Sequence, residues 1–363
     1  YHQNLFLVAL DDAHRSGGAH YWYRTHHLFA DLLATRLEGS RTPAEINGLQ
    51  RRAAEWFDAN GFLEEAVYHA LRCGDIAWAA EVVERQAPLM MQQGRLNTLL
   101  RWIGALETET LARRPRLRLA QAWSLFLSGQ AAETKPILLA TRRLLQEEPE
   151  LAPDEAVRGE LATLLANCAS VEEDVEQVMA EVKEALAYLP ADDADLRSVI
   201  FRARALNAAG AAHGLAGDTE QMVATSREVQ RLALLGGNAF LAAHALSTIA
   251  DARFHQGRLH EAKAANRKII QFGKEIDVIV APPFTGMGHI GLSAVQLERY
   301  ELAEAAQSLD QGLAISGQGG IGYKHLDAYC TLARLRAAQG DGAGAAAALE
   351  QAQAFAPLPW HKV

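Results

Sequence analysis

The side chains of this 363-residue chain that could recognise a ligand recur at matching places in successive stretches of sequence. Aligning those stretches puts Trp123, Asn167, Arg204, Asn207, His244 and Asp251 on a common inner surface. Phe254, His255, Tyr323, Asp327 and Arg334 join them. Amide, imidazole, carboxylate and guanidinium groups set between Trp123, Phe254 and Tyr323 are the mix that holds a sugar or another small polar metabolite. Ring faces cover apolar surface and polar groups fix the edges. The plainer alternatives are a solvated groove or one that takes a protein segment.

Reaction chemistry is hard to find. There is no HExxH, and Gly291-Leu292-Ser293-Ala294-Val295 fails the last position of GxSxG. The 13 histidines are scattered, and His255 and His260 straddle a turn, so no metal site is expected. Two GxGxxG matches occur, at 286–291 (GMGHIG) and 317–322 (GQGGIG). The first follows an apolar run at 276–281, but Pro282-Pro283 break the strand-to-turn connection that a dinucleotide site requires. Both matches fall inside a helical period, which places Gly288 and Gly291 where crossing helices need small residues. Cys73, Cys168 and Cys330 are far apart and form no CxxC, so neither a disulfide framework nor structural zinc is expected. A reduced, cytoplasmic setting and no enzymatic activity in this chain are the expectations.

The elements that must position these residues are helices. Alanine supplies 68 residues, against 29 for valine and isoleucine together. Ala loses no side-chain entropy in a helix, and its small size lets helices pack closely. The net charge of −9 offers no global attraction to nucleic acid or anionic membrane. Two uncharged stretches, 232–250 and 278–297, approach the length of a membrane span. Gly236-Gly237-Asn238 and Pro282-Pro283 make each read as two helix ends joined by a turn, so no membrane segment is expected.

A pattern repeats along most of the chain. A helix ends near a turn-prone residue, and a second helix follows with Ala at a fixed offset. Gly61-Phe62-Leu63-Glu64-Glu65-Ala66, Gly257-Arg258-Leu259-His260-Glu261-Ala262 and Gly340-Asp341 with Ala345 are examples. Tyr300 stands in for Gly in 300–305, and Asp218 with Gln221 is placed to form a capping box after Gly217. The turns at 217, 257, 300 and 340 are 40 to 43 residues apart; stepping back gives Gly129, with a degenerate turn near Glu173. Val175, Val178, Met179, Val182, Ala185 and Leu186 form one amphipathic stripe. Helix pairs with such stripes cannot bury them alone and must stack. The predicted fold is all-α: a TPR-like right-handed superhelical solenoid of antiparallel helix pairs over 115–356, with 357–363 as the start of a linker.

The first 40 residues differ. An apolar run at 4–10, a polar turn at 11–19 and an aromatic run at 20–24 predict a β-hairpin. Leu28, Phe29, Leu32, Leu33 and Leu37 then share a helical face. With no Met at the start and no basic-then-apolar leader, the chain reads as a piece of something longer. Thr42-Pro43-Ala44-Glu45 predicts a capped helix start, opening a helical arm over 41–114.

The turn pattern in 246–262 (LSTIADARFHQGRLHEA) and 329–345 (YCTLARLRAAQGDGAGA) resembles the tetratricopeptide repeat, with a period longer than the usual 34 residues. Helix pairs this long resemble the sensor region of the MalT-like large ATP-dependent LuxR-type transcription activators. Residues 23–33 (YRTHHLFADLL) resemble the end of that family's winged-helix domain, and 51–80 resemble its connecting arm. Phrases at 187–197 and 292–305 resemble junctions of its solenoid. The resemblance implies an inducer or an inhibitory protein bound in the solenoid groove. It also implies ATP/ADP as cofactor of the full-length protein, self-association of the active form, and DNA contact through a C-terminal domain. It implies that His26 contacts the nucleotide, and an imidazole near a helix start suits a phosphate. No GxxxxGK followed by Ser or Thr occurs, so ATP hydrolysis is not expected of this chain. A TPR-type scaffold that binds only proteins is the alternative reading.

Overall fold

Among the described residues from Gly129 to Gly340, seven turn the backbone into the left-handed region, and six of them are the turn positions spaced 40 to 44 residues apart. Gly129, Glu173, Gly217, Gly257, Tyr300 and Gly340 have φ between 60° and 81°. At each, the next residue's amide donates to the carbonyl five positions back. Gln130 bonds Leu125, Asp174 bonds Ala169, Asp218 bonds His213, Arg258 bonds Arg253, Glu301 bonds Gln296 and Asp341 bonds Arg336, all at 2.8–3.0 Å. This is the Schellman ending, which satisfies carbonyls that the helix itself leaves open. At three of these corners the residue that closes one helix also caps the next. The carboxylates of Asp174, Asp218 and Asp341 accept from the amides of Gln177, Gln221 and Gly344.

The computed structural model describes residues 7–9, 23–25, 27–92, 95–151, 154–191, 195–275, 284–316 and 323–355. The chain divides into two compact units, Tyr1–Ala120 and Gln121–Val363. In the first, β1 (Leu7–Ala9) pairs antiparallel with β2 (Tyr23–Thr25), Val8 opposite Arg24. The turn predicted between them lies outside the described residues. Helix α1 (His27–Ser40) leaves Leu28, Leu32 and Leu33 of the predicted stripe exposed. Helices α2 (Pro43–Ala59), α3 (Leu63–Ala70), α4 (Ile76–Gln92), α5 (Leu96–Gly104) and α6 (Thr108–Ala112) follow. Thr42 and Glu45 form the predicted capping box, each side chain bonded to the other's amide. Val67, Val83, Met90, Leu99 and Ile103 are the centre of this unit's core.

Helix α7 (Pro115–Leu127) begins in the first unit and ends in the second. The second unit continues with α8 (Ala131–Glu147), α9 (Ala156–Val171), α10 (Val175–Tyr188), α11 (Leu196–Leu215) and α12 (Thr219–Leu235). Then come α13 (Ala239–His255), α14 (Leu259–Glu275), α15 (Thr285–Glu298), α16 (Leu302–Ser316), α17 (Tyr323–Ala338) and α18 (Gly342–Phe355). Antiparallel hairpins α9–α10, α11–α12, α13–α14, α15–α16 and α17–α18 pack face to face. First helices also meet first helices: α9 lies against α11, α13 against α15, and α15 against α17. This is the stacked order of a TPR-like solenoid. Alanines make the close approach possible, as in the cluster of Ala166, Ala169, Val178, Val182, Ala208, Ala209 and Ala212. Of the two uncharged stretches, 232–250 is divided by the turn at Gly237, and 278–297 lies partly outside the described residues. No helix among the described residues is long and apolar enough to cross a membrane.

Two of the six corner residues carry a side chain where glycine fits best. A left-handed conformation costs an L-residue about 1–2 kcal/mol, part of which glycine gives back as unfolded-state entropy. Tyr300 is 72% exposed, so little packing opposes its removal. Tyr300→Gly is expected to stabilise the protein by roughly 0.5–1 kcal/mol. Urea denaturation checks this, and an equal gain from Tyr300→Ala would rule out the backbone explanation.

Candidate functional site

The first helices of the second unit's pairs carry two clusters of charged side chains. The first is assembled around α11. Arg197, Phe201 and Arg204 are spaced four and three residues apart, so all three project from one helical face. The Arg204 guanidinium carbon lies 4.3 Å from the ring centre of Trp123 on α7 and 5.7 Å from that of Phe201. The Trp123 and Phe201 rings are themselves 6.3 Å apart. Glu160 on α9 is buried and accepts from Arg197 at 2.8 Å. Burial pushes the Arg204 pKa down, an effect that the charge of Glu160 opposes. The Trp123 indole Nε1–H is buried and donates to none of the described residues.

The second cluster joins α13 to α17, two pairs further along. Lys324 is buried, and its ammonium donates to Asp251 at 2.7 Å and to Asp327 at 3.1 Å. Burial raises the Asp251 pKa, while Lys324 pulls it back down. His244 stands two helical turns before Asp251 on the same face of α13. Burial, with the charge of Lys324 added, lowers its pKa to about 4, so the imidazole is neutral at physiological pH. His255 is exposed and near enough for its charge to act on Asp251. A carboxylate, an ammonium and a neutral imidazole brought together in this way can bind polar groups.

The structure therefore brings Trp123 together with Arg204, and His244 and Asp251 together with Asp327. Other predicted residues are engaged elsewhere. The Asn167 amide donates to the Thr163 carbonyl of its own helix at 2.7 Å, which takes one of its donors away from a ligand. Arg334 pairs with Glu298 and is more than half exposed, a solvated ion pair. Asn207 is half-buried one turn beyond Arg204, and Phe254 is half-buried with its ring edge-on to His255. The Tyr323 side chain and all of His26 lie outside the described residues. Lys324, Glu160, Arg197 and Phe201 were not foreseen. The four-and-three spacing on α11 could have given Arg197 and Phe201; nothing local marks Lys324.

The motif GMGHIG lies on α15, a helix. A Cβ on Gly288 would come within 2.8 Å of the Asn266 carbonyl oxygen and 3.0 Å of the Ile269 Cβ, so this glycine serves a helix crossing. GQGGIG lies outside the described residues. Among the described residues no group of three or more His, Cys, Asp or Glu could hold a metal ion. The cysteines are free thiols, and burial pushes Cys168 up to about 12.

Comparison with known proteins bears on the family and the fold. The chain is 38% identical over 183 residues to the serine/threonine-protein kinase PknK of Mycobacterium tuberculosis, covering 50% of this chain and 15% of the kinase. It is 26% identical over 273 residues to the HTH-type transcriptional regulator MalT of Serratia proteamaculans, covering 75% of this chain and 29% of the regulator. The chain thus spans less than a third of the curated relatives it matches. Among solved structures, it resembles the signal transduction ATPase with numerous domains and a tetratricopeptide repeat sensor from Pyrococcus horikoshii. That match has a TM-score of 0.59 and 13% identity, over 92% of this chain and 52% of that one. It also resembles a Rap protein complexed with Competence and Sporulation Factor, with a TM-score of 0.57 and 12% identity, over 90% and 87% of the two chains. The model of the MalT-like TPR region matches residues 159–359. That match runs over more than half of the sequence, and the chain belongs to the MalT-like TPR region family.

Proposed function

We propose that the solenoid of this chain is the sensing part of a cytoplasmic transcription activator, taking a small-molecule inducer or an inhibitory protein on its inner surface. The observation that carries this reading is the pair of partly buried charge clusters that join first helices two pairs apart, Trp123 to Arg204 and Asp251 to Lys324. A ligand that replaces one of these links binds one curvature of the solenoid better than another. It biases the resting-to-active equilibrium by that difference in affinity and by no more. In a protein built like the MalT regulators, His26 and the segment 1–40 would belong to a winged helix facing bound ADP. ATP would then drive self-association, and a C-terminal domain would contact DNA.

Support comes from the family and from the tetratricopeptide sensor named for the Pyrococcus horikoshii protein. The Rap complex with Competence and Sporulation Factor favours a second reading, in which the solenoid is a scaffold for protein partners. Thermal unfolding of this chain against a library of small metabolites separates the two. A saturable rise in Tm is expected for at least one compound. If melting responds only to a protein or peptide, the metabolite reading is wrong.

A further inference from the structure

Charge bookkeeping around α11 points to the chemistry of the ligand. Among the partly or fully buried arginines of the second unit, Arg142 meets Glu181 and Glu184, Arg197 meets Glu160, and Arg253 meets Glu220 and Glu261, while Arg158 and Arg202 donate to the carbonyls of Leu145 and Leu189. Arg204 differs. No ion pair or hydrogen bond joins it to a described residue, and the one carboxylate that influences it, Glu160, is already bonded to Arg197. Arg197, Arg204 and Glu160 together leave one positive charge uncompensated, on the half-buried Arg204.

The guanidinium is also held in a pose that suits binding. It lies over the Trp123 ring, 4.3 Å from its centre, with the Phe201 ring 5.7 Å away. Stacking on aromatic faces fixes the plane of the guanidinium and leaves the N–H groups along its edge available as a fork. Such a fork fits the two oxygens of a carboxylate or phosphate. Beside it, the Trp123 Nε1–H is a second donor without an acceptor, on a residue only 2% exposed. Buried donors are nearly always paired, so the unpaired Trp123 Nε1–H beside a half-buried guanidinium that has no acceptor marks a place where an acceptor belongs.

We propose that Arg204, positioned by Trp123 and Phe201, anchors an oxyanion subsite on the inner surface of the solenoid, taking the carboxylate or phosphate group of a small metabolite. This rests on the reading of that surface as a ligand site and adds the sign and shape of the group it accepts. The other cluster contrasts with it: Asp251 and Asp327 outnumber Lys324, so an anion is directed to the α11 end.

The test is thermal unfolding of the 363-residue chain at constant ionic strength with phenyl phosphate, benzoate or inorganic phosphate, with chloride as control. At least one oxyanion is expected to raise Tm saturably, chloride not at all. The stronger of phenyl phosphate and benzoate tells a phosphate source from a carboxylate source. Arg204→Met is expected to weaken the effective probe at least tenfold. Arg204→Lys, which keeps the charge and loses the fork, is expected to weaken it several-fold and carries the comparison if the Met variant does not fold. Equal responses in wild type and variants overturn the proposal, as does a wild type that answers to none of the anions. If a neutral metabolite then stabilises wild type and Arg204→Met alike, the sensing role survives and the oxyanion subsite alone is lost.

Discussion

Lys324→Met lowers the stability of the protein by about 2–3 kcal/mol at neutral pH, and adding Asp251→Asn restores most of the loss. The reasoning starts from dehydration. The Lys324 side chain is 8% exposed and that of Asp251 is 42% exposed, so the pair is neither fully interior nor fully solvated. Removing one partner of a fully buried pair costs about 3–5 kcal/mol, because the charge left behind has lost both water and its partner. Partial access of Asp251 to solvent brings the figure below that range. Neutralising both residues removes the stranded charge, which is why the double variant recovers.

The pH dependence has a definite sign. Burial already raises the Asp251 pKa above its unfolded value, and Lys324 holds it down. Without Lys324 the folded pKa rises further. A carboxylate with a raised folded pKa destabilises the fold above that pKa and stops doing so as it takes up a proton. The deficit of Lys324→Met therefore shrinks as pH falls through the raised Asp251 pKa. Urea denaturation of both single variants and the double variant, at neutral and mildly acidic pH, measures the coupling. A deficit that grows on acidification, or a double variant as weak as the sum of the singles, contradicts the arrangement.

Gly288→Ala is the second large effect, an expected loss of about 2–3 kcal/mol. The new methyl would meet a backbone oxygen of α14 at 2.8 Å and the branch carbon of Ile269 at 3.0 Å, neither of which can swing aside. Helices α14 and α15 must separate to admit it. Gly210 in α11 is the control, because a Cβ there has only ordinary contacts with Ser226 and Thr225 at 3.7 and 3.8 Å. Gly210→Ala is expected to be neutral or to stabilise by up to about 1 kcal/mol through helix propensity. Equal losses at both positions would mean that helix crossing is not what requires glycine at 288.

Much of the fold was legible because its corners are local chemistry. A left-handed residue that closes a helix is a statement about five or six adjacent residues, and it survived where Tyr300 and Glu173 replace glycine, since the period located them. The inner surface was legible only in part. Aligning the repeats names Trp123, Arg204, His244, Asp251 and Asp327, which the structure gathers into two clusters. Lys324 did not, because its partner Asp251 is 73 residues away and their meeting depends on how tightly the pairs coil. Asn167 and Arg334 misled for another reason. Each has a nearer partner, one in its own helix and one on α15, that a count of helical faces does not reveal.

The corners in which one aspartate both ends a helix and starts the next leave no slack in the chain. An array of stacked helix pairs, each packed on its neighbours, changes length in whole pairs. Losing the α15–α16 module would turn α13 and α17 into immediate neighbours, abolishing the spacing across which Lys324 reaches Asp251. Copies of this solenoid that differ by one module should therefore differ in what they recognise, even where every remaining side chain is the same.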